Sequence, residues 1–170
     1  MKRWNSSPHP ISDVRDWKKL QRLEIRPDFQ RKEVWSMAAK IMLMDTIINQ
    51  IPMPKIFLSS IVKDSQTYRV VIDGQQRISA ILDFMDDKFA LVKPFDNSNL
   101  LYGKLFSDLP DNIKTEFLQY RIDFNEAIGF SEDEVRETYS RLNKYSVALN
   151  KQELRRADFP GDFLSLSEKL

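Results

Sequence analysis

The stretch "VVIDGQQRISAIL", Val70 to Leu82, changes its hydrophobic period in the middle. Before Asp73 the apolar residues form a compact run of β-formers. After Gly74 they recur at Ile78, Ile81, Leu82 and Met85, the i, i+3, i+4, i+7 spacing of a helix. The chain is therefore expected to pass from strand to helix through one sharp turn at Asp73-Gly74. Glycine allows the tight turn and a close approach to a ligand. The first amides of the helix have no acceptor within it and carry the positive end of its dipole. An anion fits at such a joint.

The side chains around the joint suit phosphate chemistry. Arg77 offers a fixed charge whose fork matches phosphate oxygens. Asp73 is a candidate Mg²⁺ ligand or water-orienting group. Gln75 and Gln76 cannot act as general bases, but their amides can position an attacking water. The ordinary reading stays open beside this one. Asp-Gly is a common turn dipeptide, and Gln, Gln and Arg are unremarkable on an exposed helix. The joint is not a P-loop, because the glycine-rich run with its Lys-Ser/Thr is missing.

The remaining elements follow from period and punctuation. Residues 1–10 read as a loose, flexible tail. Ser12 is the expected N-cap of a short helix carrying Val14, Trp17 and Leu20. "RLEI" is a brief strand. A polar loop, "RPDFQRKEVWS", holds Phe29 and Trp35. Residues 36–49 form an apolar helix that "IPMP" stops, with Met37, Met42 and Met44 assigned to the core. "KIFLSSIV" and "TYRVVI" form a hairpin around "KDSQ". "KFALV" and "LLYGKLF" are weaker strand candidates. "LPDNIKTEFLQY" is a helix with Pro110 near its start, and "YRIDFNEAI" a strand. Ser131 and Glu134 make a capping box for a helix turning Val135, Tyr139 and Leu142 inward. The last stretch, "GDFLSLSEKL", starts another helix whose apolar face is uncovered. A truncated product, a degraded gene or a subunit covered by a partner would each account for it. The mixed order of strands and helices favours an α+β domain with a small mixed sheet flanked by helices over a doubly wound fold.

Composition removes several chemistries. The chain has no cysteine and one histidine, His9. Disulfides, thiolate metal sites and cysteine nucleophiles are excluded, and zinc sites or histidine-based nucleases lack ligands and a base. The net charge is +1, so no bulk charge favours nucleic acid or an anionic membrane. "KK" at Lys18 and Lys19 and "RR" at Arg155 and Arg156 read as solvated faces, or as DNA-phosphate contacts if they converge in space. No apolar run approaches a membrane span and no signal-peptide pattern is present, so the cytoplasm is the expected compartment.

"IDGQQRISAIL" closely resembles the "DGQQR" segment of the N-terminal domain of GmrSD-type, modification-dependent restriction enzymes, a domain shared with SspE-like phage-defence proteins. "PDFQRKEVW", "IINQIPMPKIFL" and "RLNKYSVALNKQELRRADFPGDF" are similar to three further blocks of that family, in the family's order. The resemblance implies a ParB/sulfiredoxin-like α+β fold over about residues 11–160, with residues 161–170 beginning a C-terminal helix or extension. It implies binding of an ATP- or GTP-class nucleotide and, in several members, its Mg²⁺-dependent hydrolysis, coupled to a nuclease domain or subunit that acts on modified or foreign DNA. Homo-oligomers are compatible with it. Carried over, Asp73, Gly74, Gln75, Gln76 and Arg77 are tied to nucleotide turnover. Gln30, Arg31, Trp35, Asn143, Gln152, Glu153 and Arg155 are further candidates. Arg31 would reach a phosphate. Trp35 would stack on a base or anchor the next helix in the core. Asn143 serves equally as a C-cap, and Glu153 as half of a capping box with Asn150. The H-N-H-type nuclease motif of many relatives is missing. A DNA-sensing adaptor, or an interaction domain for a nuclease subunit, without nucleotide turnover is the alternative.

Overall fold

The computed structural model describes residues 1–25, 34–142 and 144. They fall into two compact units, Met1–Phe130 and Ser131–Leu170.

The first unit is a five-stranded mixed sheet with helices packed on one face. Its elements, in order, are β1 (Arg3–Pro10), α1 (Ile11–Lys19), β2 (Leu23–Ile25), α2 (Met37–Ile48), β3 (Ile56–Lys63), β4 (Gln66–Asp73), α3 (Gln75–Met85), α4 (Asp111–Gln119) and β5 (Arg121–Ile128). The sheet order is β1-β5-β3-β4-β2. β1/β5 and β3/β4 are antiparallel, whereas β3/β5 and β2/β4 are parallel. The α+β class expected from the sequence is therefore correct. Among the described residues, no helix is long and apolar enough to cross a membrane.

Side chains two apart along a strand share a face. On one face Ile56 and Leu58 of β3, Val71 of β4, and Ile122 and Phe124 of β5 are buried in one apolar cluster. Ile11 and Val14 of α1, Ile41, Met44 and Ile47 of α2, Ile78, Ile81 and Phe84 of α3, and Phe117 of α4 meet them there. Phe84 stacks against Phe89, Phe106 and Phe117 at centroid distances of 5.4, 5.8 and 5.6 Å.

The same sheet face turns polar toward one end. Ser60, Arg69 and Glu126 follow Leu58, Val71 and Phe124 at two-residue steps. The Ser60 hydroxyl donates to Glu126 Oε1, and Arg69 Nε donates to the same oxygen at 3.2 Å. The Arg69 guanidinium lies 4.0 Å from the centroid of Trp17 on α1, an attractive cation–π arrangement. Three neighbouring strands and a helix are thus fastened by one buried carboxylate.

Several local expectations are corrected. Residues 1–10 are not a loose tail: Arg3–Pro10 is a full edge strand paired along β5. Alternation is hard to read in "RWNSSPHP" because its prolines and serines are turn formers. His9 therefore belongs to the fold, 3.2 Å from Asp13 and 5.0 Å from the Trp17 ring. Pro10, not Ser12, occupies the N-cap position of α1. "KFALV" and "LLYGKLF" are not strands; they belong to an irregular segment between α3 and α4. That segment tucks Phe89, Leu91, Phe95 and Leu101 into the core, and its apolar residues mimicked strand periodicity for that reason. Ser107 donates its backbone N–H to Asp87 at 2.9 Å, which holds that carboxyl below the usual aspartate range. Met37 and Met42 lie outside the core, each 48% exposed, while Met44 is fully buried.

Ser36 caps α2 by accepting the Ala39 N–H at 3.2 Å. Ser36→Ala is expected to lower stability by about 1 kcal/mol, read as a lower urea midpoint with an unchanged m-value.

The second unit is described over one helix, α5, at residues 132–142. The capping box forms as read: the Ser131 N–H donates to Glu134 at 2.9 Å and the Glu134 N–H to Ser131 Oγ at 3.2 Å. Val135 and Tyr139 are buried, but Leu142 is 42% exposed, against the expected inward stripe.

Candidate functional site

β4 ends at Asp73 and α3 begins at Gln75, so the strand–turn–helix joint exists as expected. Gly74 makes the turn at φ 99°, ψ 16°, in the left-handed region. A Cβ there would stand 2.8 Å from Ile56 Cγ1, so β3 and the joint touch backbone to side chain. The Gly74 carbonyl accepts the first helical bond, from Ile78 N–H at 3.0 Å.

The side chains of the motif divide between two sides of the joint. On the β3 side, the Arg77 guanidinium donates to the Pro54 carbonyl and, at 3.3 Å, to the Lys55 carbonyl. It also stands 4.0 Å from the Asp73 carboxylate. Tyr120 adds a second clasp on the same "IPMP" passage, its hydroxyl donating to the Ile51 carbonyl at 2.7 Å. Burial pushes the Tyr120 phenol up from its ordinary pKa. Asp73, Gly74 and Arg77 therefore brace the turn.

On the other side, Gln75 and Gln76 face a groove of about 600 Å³. Gln75 Nε2 donates to the Ile72 carbonyl at 2.8 Å. Gln76 Oε1 accepts the Trp35 N–H at 3.3 Å. Ser79, Leu82, Asp83 and Asp86 continue the same wall, and their spacing from Gln75 is that of one helical face. Arg77 lies off that face, about 200° around the helix from Gln75 at 100° per residue. The facing wall consists of Arg15, Lys18 and Lys19 of α1, and Ile25, Met85 and Phe106 supply apolar surface. Asp83 is flanked by Lys88 at 3.2 Å and Lys40 at 3.8 Å.

Trp35 packs its ring against the hydrophobic core and reaches the groove only through its backbone bond to Gln76. Gln30, Arg31, Asn143, Gln152, Glu153 and Arg155 lie outside the described residues. Arg15, Ser79, Asp83 and Asp86 were missed as site residues. The polar stripe on α3 was readable from its spacing. No local signal says which helix would stand across from it.

Mg²⁺ usually takes one or two protein carboxylates together with phosphate oxygens. Asp73, the acid expected to hold it, is next to the Arg77 guanidinium and does not line the groove. Among the described residues no group of three or more His, Cys, Asp or Glu side chains could hold a metal ion. These donors do not fit a protein-held Mg²⁺ at Asp73.

The family model described as "GmrSD restriction endonuclease, N-terminal domain" matches residues 14–160. No curated protein and no solved structure gives a significant match. The matched span holds the joint, the groove walls and most of the core, and the chain belongs to the GmrSD restriction endonuclease N-terminal domain family.

Proposed function

We propose that this domain binds a nucleoside triphosphate in the groove between α1 and α3 and hydrolyses it, as the regulatory part of a restriction-type defence system. The observation that carries the reading is the groove itself: two glutamine amides at the start of a helix face three cations across a space of about 600 Å³. That size is in the range of small-ligand pockets. Phe106, Leu82, Met85 and Ile25 provide apolar surface for a base. Gln75 and Gln76 orient the attacking water, and charge neutralisation and positioning do the rest. Asp73 and Arg77 contribute by holding the turn at which the glutamines are mounted. Any Mg²⁺ arrives with the phosphates.

The test is a melting-temperature panel with ATP, GTP, CTP and UTP, with and without Mg²⁺, followed by turnover assays. A ligand at 100 times its Kd adds about 2.7 kcal/mol to the folded state. For a chain of this length that raises the midpoint by roughly 5–10 °C. Gln76→Ala should then lower kcat by about tenfold or more while leaving KM nearly unchanged, because water positioning acts in the transition state. Absence of any nucleotide shift and of turnover would overturn the reading. Salt-dependent DNA binding in its place would select the DNA-sensing adaptor.

A further inference from the structure

We infer that the α1 wall of the groove, Arg15 with Lys18 and Lys19, is the phosphate-holding element, which lays the polyphosphate chain of the nucleotide along α1. The inference rests on the nucleotide reading above and assigns which part of the protein grips the anion. Arg15, Lys18 and Lys19 are spaced i, i+3, i+4 and all three line the groove. Residues so spaced are neighbours on one helical face, where like charges repel. The negative end of the α1 dipole offsets part of that repulsion for Lys18 and Lys19, which sit in its last turn.

Little else among the described residues neutralises them. Among the described residues, Lys18 and Lys19 have no carboxylate within ion-pair distance. Among the described residues the buried Arg15 Nε has no hydrogen-bond partner, and the Asp16 carboxylate is 3.8 Å away. The Arg15 side chain is 34% exposed and lines the groove, so its remaining guanidinium donors are open to a phosphate oxygen. Of the two acids on the facing wall, Asp83 is already held by Lys88 and Lys40, which leaves Asp86 as one carboxylate against three cations. Arg77 is the guanidinium that motif reading selects for this role, yet its donors are engaged by the Pro54 and Lys55 carbonyls. The cationic side of the groove is α1.

The test uses the full chain, with K18A/K19A, R15A, and a control, K63A/R121A, that removes two exposed charges away from the groove. Binding of nucleoside triphosphate, the matching nucleoside and inorganic tripolyphosphate is measured by calorimetry at two salt concentrations. Charge-assisted contacts of this kind are expected to weaken triphosphate binding about 10- to 100-fold in K18A/K19A and to flatten its salt dependence. R15A should also weaken it, the control should bind like the parent, and the unliganded variants should melt no lower than the parent. Triphosphate binding that is unchanged in both α1 variants would overturn the inference and leave the nucleotide reading standing. Parent protein that binds tripolyphosphate but no nucleotide would keep the wall and overturn the nucleotide reading. Parent protein that binds neither would overturn both.

Discussion

Gly74→Ala is expected to destabilise the first unit by about 2–5 kcal/mol. A left-handed backbone costs an L side chain about 1–2 kcal/mol, and forcing a methyl group into a packed site adds about 1–3 kcal/mol. Both terms apply, because φ is 99° and Ile56 Cγ1 is 2.8 Å from the added carbon. Gly103→Ala separates them. Gly103 also has positive φ, 82°, but nothing lies within 4 Å of its added Cβ. It should lose only the backbone part, about 1–2 kcal/mol. Pairing Gly74→Ala with Ile56→Val should not recover the packing loss, because valine keeps both γ-carbons that crowd the added Cβ. Urea midpoints of the four proteins decide this; equal losses at Gly74 and Gly103 would show that the contact with Ile56 has no weight.

Removing one partner of the buried Arg69–Glu126 pair should cost about 3–5 kcal/mol. The Arg69 and Glu126 side chains are 15% and 8% exposed, so neither charge can recover full hydration after its partner is gone. Glu126→Ala leaves the guanidinium against Trp17 and orphans the Ser60 hydroxyl. Arg69→Ala leaves a carboxylate with one hydroxyl donor. Arg69→Met combined with Glu126→Leu should be much closer to the parent than either single truncation, because well-packed apolar pairs often replace buried ion pairs at little cost. Arg69→Ala/Glu126→Ala closes the cycle with the two truncations, and its coupling energy measures the pair. If the two truncations simply add, the charges do not depend on each other.

Much of the fold was legible wherever one residue period held for two turns or more. The period switch at Asp73-Gly74 located the joint, and Ser36, Ser131 and Glu134 marked their helix starts. The hairpin between β3 and β4 was readable from its apolar runs, and its turn falls at Asp64 and Ser65, both at positive φ. What was not legible depended on distant contacts. β1 is a strand because β5 offers it a partner, and nothing within "RWNSSPHP" says so. At the site, the glutamines, the glycine and the turn were evident. The allocation of Arg77 to the "IPMP" carbonyls was not, since motif reading treats every cation beside a turn as aimed at a ligand. Lys18 and Lys19 looked like solvent-facing charges because their counterpart, α3, is more than fifty residues away.

The outermost strands limit how this domain can be joined to others. β1 carries Pro8 and Pro10, which lack a backbone donor, and β2 on the opposite border is three residues long. Short or proline-bearing borders resist recruitment of a foreign strand. Intermolecular β-augmentation is therefore disfavoured at both ends of the sheet, which turns any partner of this domain toward its side-chain surfaces.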